Sequence, residues 1–446
     1  MCFKRKILIS VLLSVLFYQI TAGQGKVVIT GWVNDYNNKN PEIIYSGASA
    51  EINNDKDVKV LSESSGFFKT EIISDNPSYY KVGANTVYLK PGDSVSLKLF
   101  RSSQTTEITG DGAEYNNYLK GVSWVEKKKI FLNNLGVSYE RIKVVIDSFA
   151  ALRIQDLNEL KLNDKSLIEK EIARITADRI SARLTYANYG RIYDWKDSDS
   201  LKNVKLYKFY GSFADEINKL LEIIINRDDY LDIESVRKVL LECKNYDFFV
   251  RSNSAGFTEL CSVIDNSRLM DRGLNIKDYA GLKSYIDKIS SPELKNSFRL
   301  KFLKREALME GKAAFDFEMK DRNGKVFNLS DLKGKVLYID LWATWCLPCL
   351  AQGPMYTELS KKYRSITFVA ISIDEDEDKW KKKIISENRE TIKEFIADQS
   401  SIKEIWELRT IPRFILIDKN FRIITAFAPR PSEKMEIEEY LGYYKL

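Results

Sequence analysis

Histidine is absent from this sequence of 446 residues. Imidazole is the side chain that most often binds zinc, completes a Ser-His triad or transfers protons near neutral pH. Its absence excludes histidine-ligated zinc, a Ser-His triad and acid–base catalysis by imidazole. Proline is also scarce, with 9 residues in all, and Pro292 is the only one between positions 92 and 347. Because proline interrupts helices, this long stretch can form them.

Neither sign of charge is in strong excess. Lys and Arg number 69 against 63 Asp and Glu, a formal net charge of +6, and the basic runs at 127–129 and 381–383 adjoin acidic or apolar residues. We therefore expect no nucleic-acid partner. Hydrophobic residues make up 44% and charged residues 30%, which is typical of a folded globular protein. The length predicts about three domains.

Long apolar runs are missing apart from one near the amino terminus. Basic residues at 4–6 precede an apolar run at 7–17, and small residues follow at 21–23. This pattern predicts a signal peptide over residues 1–23 and export to the periplasm or cell envelope. The run is too short to cross a hydrocarbon core about 30 Å thick. Cys2 lies before the run, where it cannot be a lipidation site at the cleavage point. We expect neither an integral membrane protein nor a lipoprotein.

The pattern of the following residues divides the chain into three parts. Residues 24–112 contain short apolar runs separated by turn residues, which predicts a small antiparallel β-sandwich. Residues 113–311 have apolar side chains at helical spacing, which predicts a mostly α-helical middle region. The strands expected in the first part are 27–33, 42–52, 58–61, 67–73, 79–89 and 94–99.

Residues 312–446 alternate between strand and helix patterns. The continuous apolar runs at 336–342 and 366–373 predict buried parallel strands, and 413–417 with 422–428 predict a closing hairpin. A parallel core sheet with an antiparallel edge follows from this order.

Two cysteines three residues apart carry the clearest chemical signal. Cys346 and Cys349 follow the apolar strand and begin the next helix, where unpaired N–H groups stabilise a thiolate. Cys346 can then attack a disulfide, and Cys349 can resolve the mixed disulfide. Half a zinc site and a static disulfide are the structural alternatives. Zinc is disfavoured because a second Cys-x-x-Cys motif and histidine are both missing, and we expect no metal and no cofactor.

The residues around this dithiol resemble those of thioredoxins, and in particular the TlpA/ResA-like branch of the bacterial envelope. The matching segments are Asp-Leu-Trp-Ala-Thr-Trp-Cys-Leu-Pro-Cys at 340–349, Leu-Ser-Asp-Leu-Lys-Gly-Lys at 329–335, Ala-Ile-Ser-Ile-Asp at 370–374 and Thr-Ile-Pro-Arg-Phe-Ile-Leu-Ile-Asp at 410–418. The resemblance covers about the last third of the chain. It implies an α/β thioredoxin fold over 312–446 and a protein-disulfide reductase.

The resemblance also implies roles for residues near the cysteines. Ile411-Pro412 would be a cis peptide whose backbone pairs with an extended substrate, and Trp345 would be an apolar platform for it. Asp340 takes the position of the buried carboxylate that exchanges a proton with the resolving thiol. A structural role remains open for Trp345 and Asp340, and an ordinary trans proline for Pro412.

Two positions depart from the pattern. Gln352 stands where many envelope relatives carry Glu. A mechanism that needs a carboxylate at this position is therefore not expected here. Arg413 replaces a small polar residue after the proline; it would either favour the thiolate or lie in solvent.

The function expected from these observations is reduction of protein disulfides. Leu347 and Pro348, between the cysteines, offer no histidine to stabilise the thiolate, which favours a reducing potential, on the order of -270 to -200 mV. Protein thiols and disulfides are the expected partners, with electrons from a membrane thiol donor. A disulfide oxidase or isomerase and a non-catalytic binding protein are the alternatives. Cys243 and Cys261, in the helical region, could be bonded to each other or remain two buried thiols.

Overall fold

The computed structural model describes residues 25–34, 41–54, 56–100, 105–120, 138–189, 192, 194, 196–387 and 389–444. The predicted signal peptide at 1–23 lies outside these residues. The chain divides into two compact units, Met1–Cys261 and Ser262–Leu446. The boundary expected between 311 and 312 falls inside the second unit, and the division into three domains stays a prediction.

The first unit begins with β-strands. They form two four-stranded sheets, in the orders β4-β1-β7-β8 and β3-β2-β5-β6. Side chains of both sheets, such as Ile29 and Val82, are fully buried in one hydrophobic cluster. The strand-rich start of the chain is as expected, whereas the specific packing of a β-sandwich stays a prediction. The described strands are β1 (Gly25–Val33), β2 (Glu42–Tyr45), β3 (Val58–Lys59), β4 (Phe67–Ser74), β5 (Ser78–Val82), β6 (Asn85–Leu89), β7 (Ser94–Leu99) and β8 (Glu107–Gly110).

Two predicted strands differ from the observed ones. The strand expected at 42–52 ends at Tyr45, and Ala48–Glu51 forms a 3-10 helix, since the small residues in between do not favour a strand. The strand expected at 79–89 is a hairpin, in which Val82 pairs with Asn85. Gly83 adopts φ +59° in its two-residue turn, a conformation that glycine enters without steric cost.

The rest of the first unit is helical, as the apolar spacing predicts. A polar cluster is buried among these helices. Glu171 of α3 is fully buried, accepts hydrogen bonds from Tyr115 (3.1 Å) and Tyr118 (2.8 Å), and pairs with Arg174 at 2.6 Å. The helices are α1 (Ala113–Lys120), α2 (Tyr139–Glu159), α3 (Lys165–Tyr189), α4 (Asp199–Gly211), α5 (Ala214–Ile224), α6 (Glu234–Cys243) and α7 (Ala255–Arg268), the last of which crosses into the second unit.

The second unit contains a seven-stranded sheet in the order β10-β9-β13-β12-β11-β14-β15. Strands β11, β12 and β13 are parallel, and β14 and β15 form the antiparallel edge that the sequence predicts. Its strands are β9 (Glu318–Lys320), β10 (Val326–Asn328), β11 (Leu337–Trp342), β12 (Thr367–Ser372), β13 (Ile392–Ala397), β14 (Arg413–Ile417) and β15 (Ile423–Ala428), and its helices are α8 (Ile276–Lys288), α9 (Pro292–Ala307), α10 (Leu347–Lys362), α11 (Glu377–Glu387), α12 (Gln399–Ile405) and α13 (Lys434–Tyr443).

Strand β11 is buried along its whole length and leads into α10. Tyr338 of β11 faces Tyr356 of α10, with ring centroids 5.3 Å apart, and the Tyr356 hydroxyl donates a hydrogen bond to the Tyr338 carbonyl at 2.5 Å. This contact fixes α10 on one face of the sheet. The start of α10 therefore lies at the carboxyl end of the central strands, the edge where α/β sheets bind ligands.

Helix α9 packs within the second unit through a buried arginine. Arg305 is 2% exposed, its guanidinium lies 4.9 Å from the centre of the Phe427 ring, and it pairs with Glu407 at 3.5 Å. Helix α9 thus belongs to the compact unit that contains the dithiol, although it precedes the predicted boundary.

Candidate active site

Cys346 and Cys349 form a disulfide at the start of α10. Cys346 is the N-cap residue, and its Sγ accepts a hydrogen bond from the Cys349 N–H at 3.2 Å. Pro348 lies in the first turn, where its missing N–H costs no helical hydrogen bond. A thiolate on Cys346 would be held by the same N–H and by the positive end of the helix dipole.

The two sulfurs are shielded while their neighbours are exposed. Cys346 is 5% and Cys349 2% exposed, so the two cysteines differ little in exposure. Trp345 is 62% and Leu347 77% exposed. These two apolar side chains therefore form an exposed apolar surface beside the disulfide, and a role for it in substrate binding stays a prediction.

The loop between β11 and α10 is fixed by a buried carboxylate. Asp374 accepts hydrogen bonds from the Thr344 N–H (2.9 Å), the Thr344 hydroxyl (2.7 Å) and the Ser372 hydroxyl (2.6 Å). This role of Asp374 was not predicted from the sequence. The sequence feature that could have indicated this role is the position of Asp374 two residues after Ser372, which ends a buried parallel strand.

A groove of about 470 Å³ adjoins the disulfide. The Ile411-Pro412 peptide bond is cis, as the resemblance implies, and Ile411 lines the groove together with Thr410. Lys403 and Arg409 also line it and were missed from the sequence, because α12 and the following loop bring them to the dithiol from about 60 positions away. The full lining is Trp345, Cys346, Leu347, Pro348, Ile373, Gln399, Lys403, Leu408, Arg409, Thr410 and Ile411.

Asp340 is buried in the sheet beneath α10. It is 2% exposed, its Oδ1 has no hydrogen-bond partner, and strand alternation places it on the same face as Tyr338. Burial raises the pKa of Asp340 to about 8, with a lowering contribution from Arg389 and a raising one from Glu394. A carboxyl group with this pKa is suited to proton exchange near neutral pH, and its exchange with the Cys349 thiol stays a prediction.

The two departures from the family pattern have structural roles. Gln352 is 8% exposed, and its Oε1 accepts a hydrogen bond from the Ser432 N–H at 3.0 Å. Arg413 is not solvated: its guanidinium lies 3.8 Å from the centre of the Phe427 ring and donates to the Ala426 carbonyl at 3.2 Å. Burial lowers the pKa of Arg413 to about 10. An effect of Arg413 on the thiolate stays a prediction.

Cys243 and Cys261 form no disulfide with each other, although they line one pocket of about 220 Å³ in the first unit. Burial raises the pKa of Cys243 well above its usual range. The disulfide alternative for this pair is therefore wrong for this structure, and Cys243 is an unreactive thiol at neutral pH.

The Redoxin family matches residues 309–442. The thiol-disulfide oxidoreductase ResA of Bacillus thuringiensis subsp. konkukian is 32% identical over 141 residues, which are 31% of this chain and 81% of that protein. The chain belongs to the ResA-like family. ResA of Bacillus subtilis is 27% identical over 153 residues, covering 32% of this chain and 80% of ResA. The thioredoxin domain of a thiol-disulfide oxidoreductase from Bacteroides vulgatus is 23% identical, covering 30% of this chain and 99% of the domain, with a TM-score of 0.27.

Family membership makes this ResA-like chain a protein thiol-disulfide oxidoreductase and gives its C-terminal part a thioredoxin-like fold. Within the described residues, no cluster of three or more Cys, Asp or Glu could hold a metal ion. Among the helices in that part of the chain, none combines the length and apolarity that a membrane span requires.

Proposed function

We propose that this protein is exported and reduces disulfides of protein substrates through Cys346 and Cys349. The observation that carries the proposal is the position of the Cys346 Sγ at the N-terminus of α10, beside a groove with exposed apolar side chains. The helix terminus favours the thiolate, and the groove admits an extended chain. The leader pattern at residues 1–23 supports export to the periplasm or envelope.

The reaction begins from the reduced dithiol. The Cys346 thiolate attacks one sulfur of the substrate disulfide, so that a mixed disulfide forms and the other substrate sulfur leaves as a thiolate. Asp340 then accepts the proton of Cys349. The Cys349 thiolate attacks Cys346, the Cys346–Cys349 bond forms, and the second substrate sulfur is released. Two electrons pass to the substrate, and a thiol donor in the membrane restores the dithiol.

The substrate lies along the groove. Trp345 packs against its side chains, and the backbone of Ile411 pairs with its main chain next to the cis proline. Main-chain pairing recognises an extended segment without demanding one sequence. Leu347 and Pro348 line this groove, and Arg413 directly follows the cis proline; none of the three is a reactant.

The residues before 312 select the partner and do not take part in the chemistry. We assign residues 24–112 to a β-sandwich domain and 113–311 to a helical domain, because the buried cluster shared by the two sheets and the helical spacing support this division.

Insulin reduction by the purified full chain tests the function. Cys346→Ser and Cys349→Ser both abolish turnover, but only Cys349→Ser accumulates mixed disulfides, because escape from the intermediate needs Cys349. Adducts on Cys346→Ser instead would reverse the two roles. A measured potential decides the direction: a value near that of strong oxidants, on the order of -120 mV, would favour the oxidase alternative.

A further inference from the structure

Asp340, Arg389 and Glu394 are three ionisable side chains in the interior beside α10, with Asp340 buried and the other two nearly so. Asp340 of β11, Ala370 of β12 and Glu394 of β13 are in register on adjacent strands. The two carboxyl groups therefore occupy the same face, with Cα atoms about 10 Å apart and only a methyl group between them. Arg389, in the turn before β13, pairs with Glu394, its Nη2 lying 2.6 Å from Oε1. The side chains of this pair are 7% and 12% exposed.

The Arg389 guanidinium lies close to both β11 and α10. It lies 5.3 Å from the centre of the ring of Trp342, which is two residues from Asp340 on the same strand face. A Cβ atom on Gly353 would lie 3.9 Å from the Arg389 Nη1. Because Gly353 is four residues after Cys349, both occupy the same side of α10 one turn apart. The guanidinium is thus placed between the sheet and the helix that carries the resolving cysteine.

Opposite charges act on Asp340 from this pair. Arg389 lowers the pKa of Asp340 and Glu394 raises it. Burial also raises the pKa of Glu394, to about 7. The neighbouring strands β12 and β14 present no charge at the register positions of Asp340, where Ala370 and Phe414 lie. The other titratable groups on the buried side of β11 and α10, within the described residues, are Tyr338, Tyr356 and Cys349.

We propose that Arg389 and Glu394 are positioning residues that set the pH range in which Asp340 accepts the proton of Cys349. Glu394 acts by neutralising Arg389, so that the guanidinium does not force Asp340 into its ionised form. The proton moves from the Cys349 Sγ to an Asp340 oxygen, and the Cys349 thiolate then closes the disulfide with Cys346. The proposal rests on the proposed function for the step it controls, whereas the charge coupling is measurable without any substrate.

The experiment is an infrared pH titration of Asp340 in the full oxidised chain, with the carboxyl band identified by its loss in Asp340→Asn. Glu394→Gln leaves Arg389 paired only with the partly exposed Glu387 and lowers the midpoint of Asp340 by about one pH unit. Arg389→Met removes the cation and raises the midpoint by about the same amount. Arg389→Lys keeps the positive charge, so the midpoint of Asp340 stays within roughly 0.3 pH unit of the wild-type value. The pH profile of mixed-disulfide resolution moves in the same directions.

Glu387→Gln is the matched control, since Glu387 pairs with the same guanidinium at 3.3 Å but is 30% exposed. Solvent screens the charge of Glu387, so this substitution shifts the titration midpoint of Asp340 by less than about 0.3 pH unit. Shifts of the same sign in Glu394→Gln and Arg389→Met, or none in either, overturn the proposal. If Glu394→Gln does not fold, the upward shift in Arg389→Met decides alone. If the wild-type protein does not reduce insulin, the proposed function is refuted, whereas the titration midpoints of Asp340 can still be measured.

Discussion

Replacing Asp340 by Asn separates its catalytic role from a structural one, because the two roles predict opposite changes in stability. The pKa of Asp340 in the folded protein is about 8, against an ordinary value of 3.8. The folded protein therefore binds this proton more tightly than the unfolded chain does. The stabilisation from the protonated carboxyl is complete below the unfolded pKa and is lost as the pH rises through the window from 3.8 to about 8.

The size of the effect follows from this window. Each pH unit between the two pKa values costs about 1.4 kcal/mol, so at pH 7 the carboxyl has lost roughly 4 kcal/mol of the stability that it contributes at low pH. Asn keeps the shape and carries no charge, although its amide must also be buried in a site where Oδ1 has no partner. We expect Asp340→Asn to be more stable at pH 7 by roughly 1 to 4 kcal/mol.

Two measurements test this. In urea unfolding, the difference in free energy of unfolding between Asp340→Asn and wild type should be small near pH 4 and should grow up to about pH 8. In stopped-flow experiments, resolution of the mixed disulfide should slow by roughly 10- to 100-fold near neutral pH, because the proton acceptor is missing. A variant that is less stable at pH 7 and resolves at the normal rate would remove Asp340 from the mechanism.

Two further predictions concern the second unit. The fragments Ser262–Leu446 and 312–446 should both reduce insulin. The shorter fragment should be less stable by roughly 2 to 5 kcal/mol, because it lacks Leu308, which is 4% exposed in the core. Equal melting temperatures of the two fragments would instead support the boundary at 312. Asp374→Asn should lose roughly 1 to 3 kcal/mol of stability and most of the insulin reduction, because it weakens three hydrogen bonds at the active-site loop. Glu375→Gln, at the exposed neighbouring position, should change neither the stability nor the activity. An active and fully stable Asp374→Asn variant would show that the loop does not need these hydrogen bonds.

The sequence predicts those parts of the site that depend on residues close to one another along the chain. Cys346 and Cys349 at a helix start, and the proline at 412, are local patterns whose chemistry depends on spacing. Long apolar runs likewise predict β11 and β12, because strands buried on both faces contain few polar residues. Neighbouring residues alone are therefore enough to indicate local chemistry and the burial of whole strands.

The parts that could not be predicted depend on contacts between distant residues. Strand β13 includes Lys393 and Glu394, so its composition indicates a surface segment, yet the Glu394 side chain is only 12% exposed and pairs with Arg389. Strands β9 and β10 have three residues each, too few to show an alternating pattern. Lys403 and Arg409 reach the groove only through the path of the chain around α12.

The shielding of the disulfide acts as a steric filter on what can be turned over. Exchange requires a sulfur to approach Cys346 in line with the bond that breaks, and Cys346 is only 5% exposed between the projecting side chains of Trp345 and Leu347. A narrow, flexible polypeptide fits such a gap more easily than a cysteine on a rigid folded surface does. We therefore expect this site to favour unfolded or locally opened substrates, because of their shape rather than their sequence.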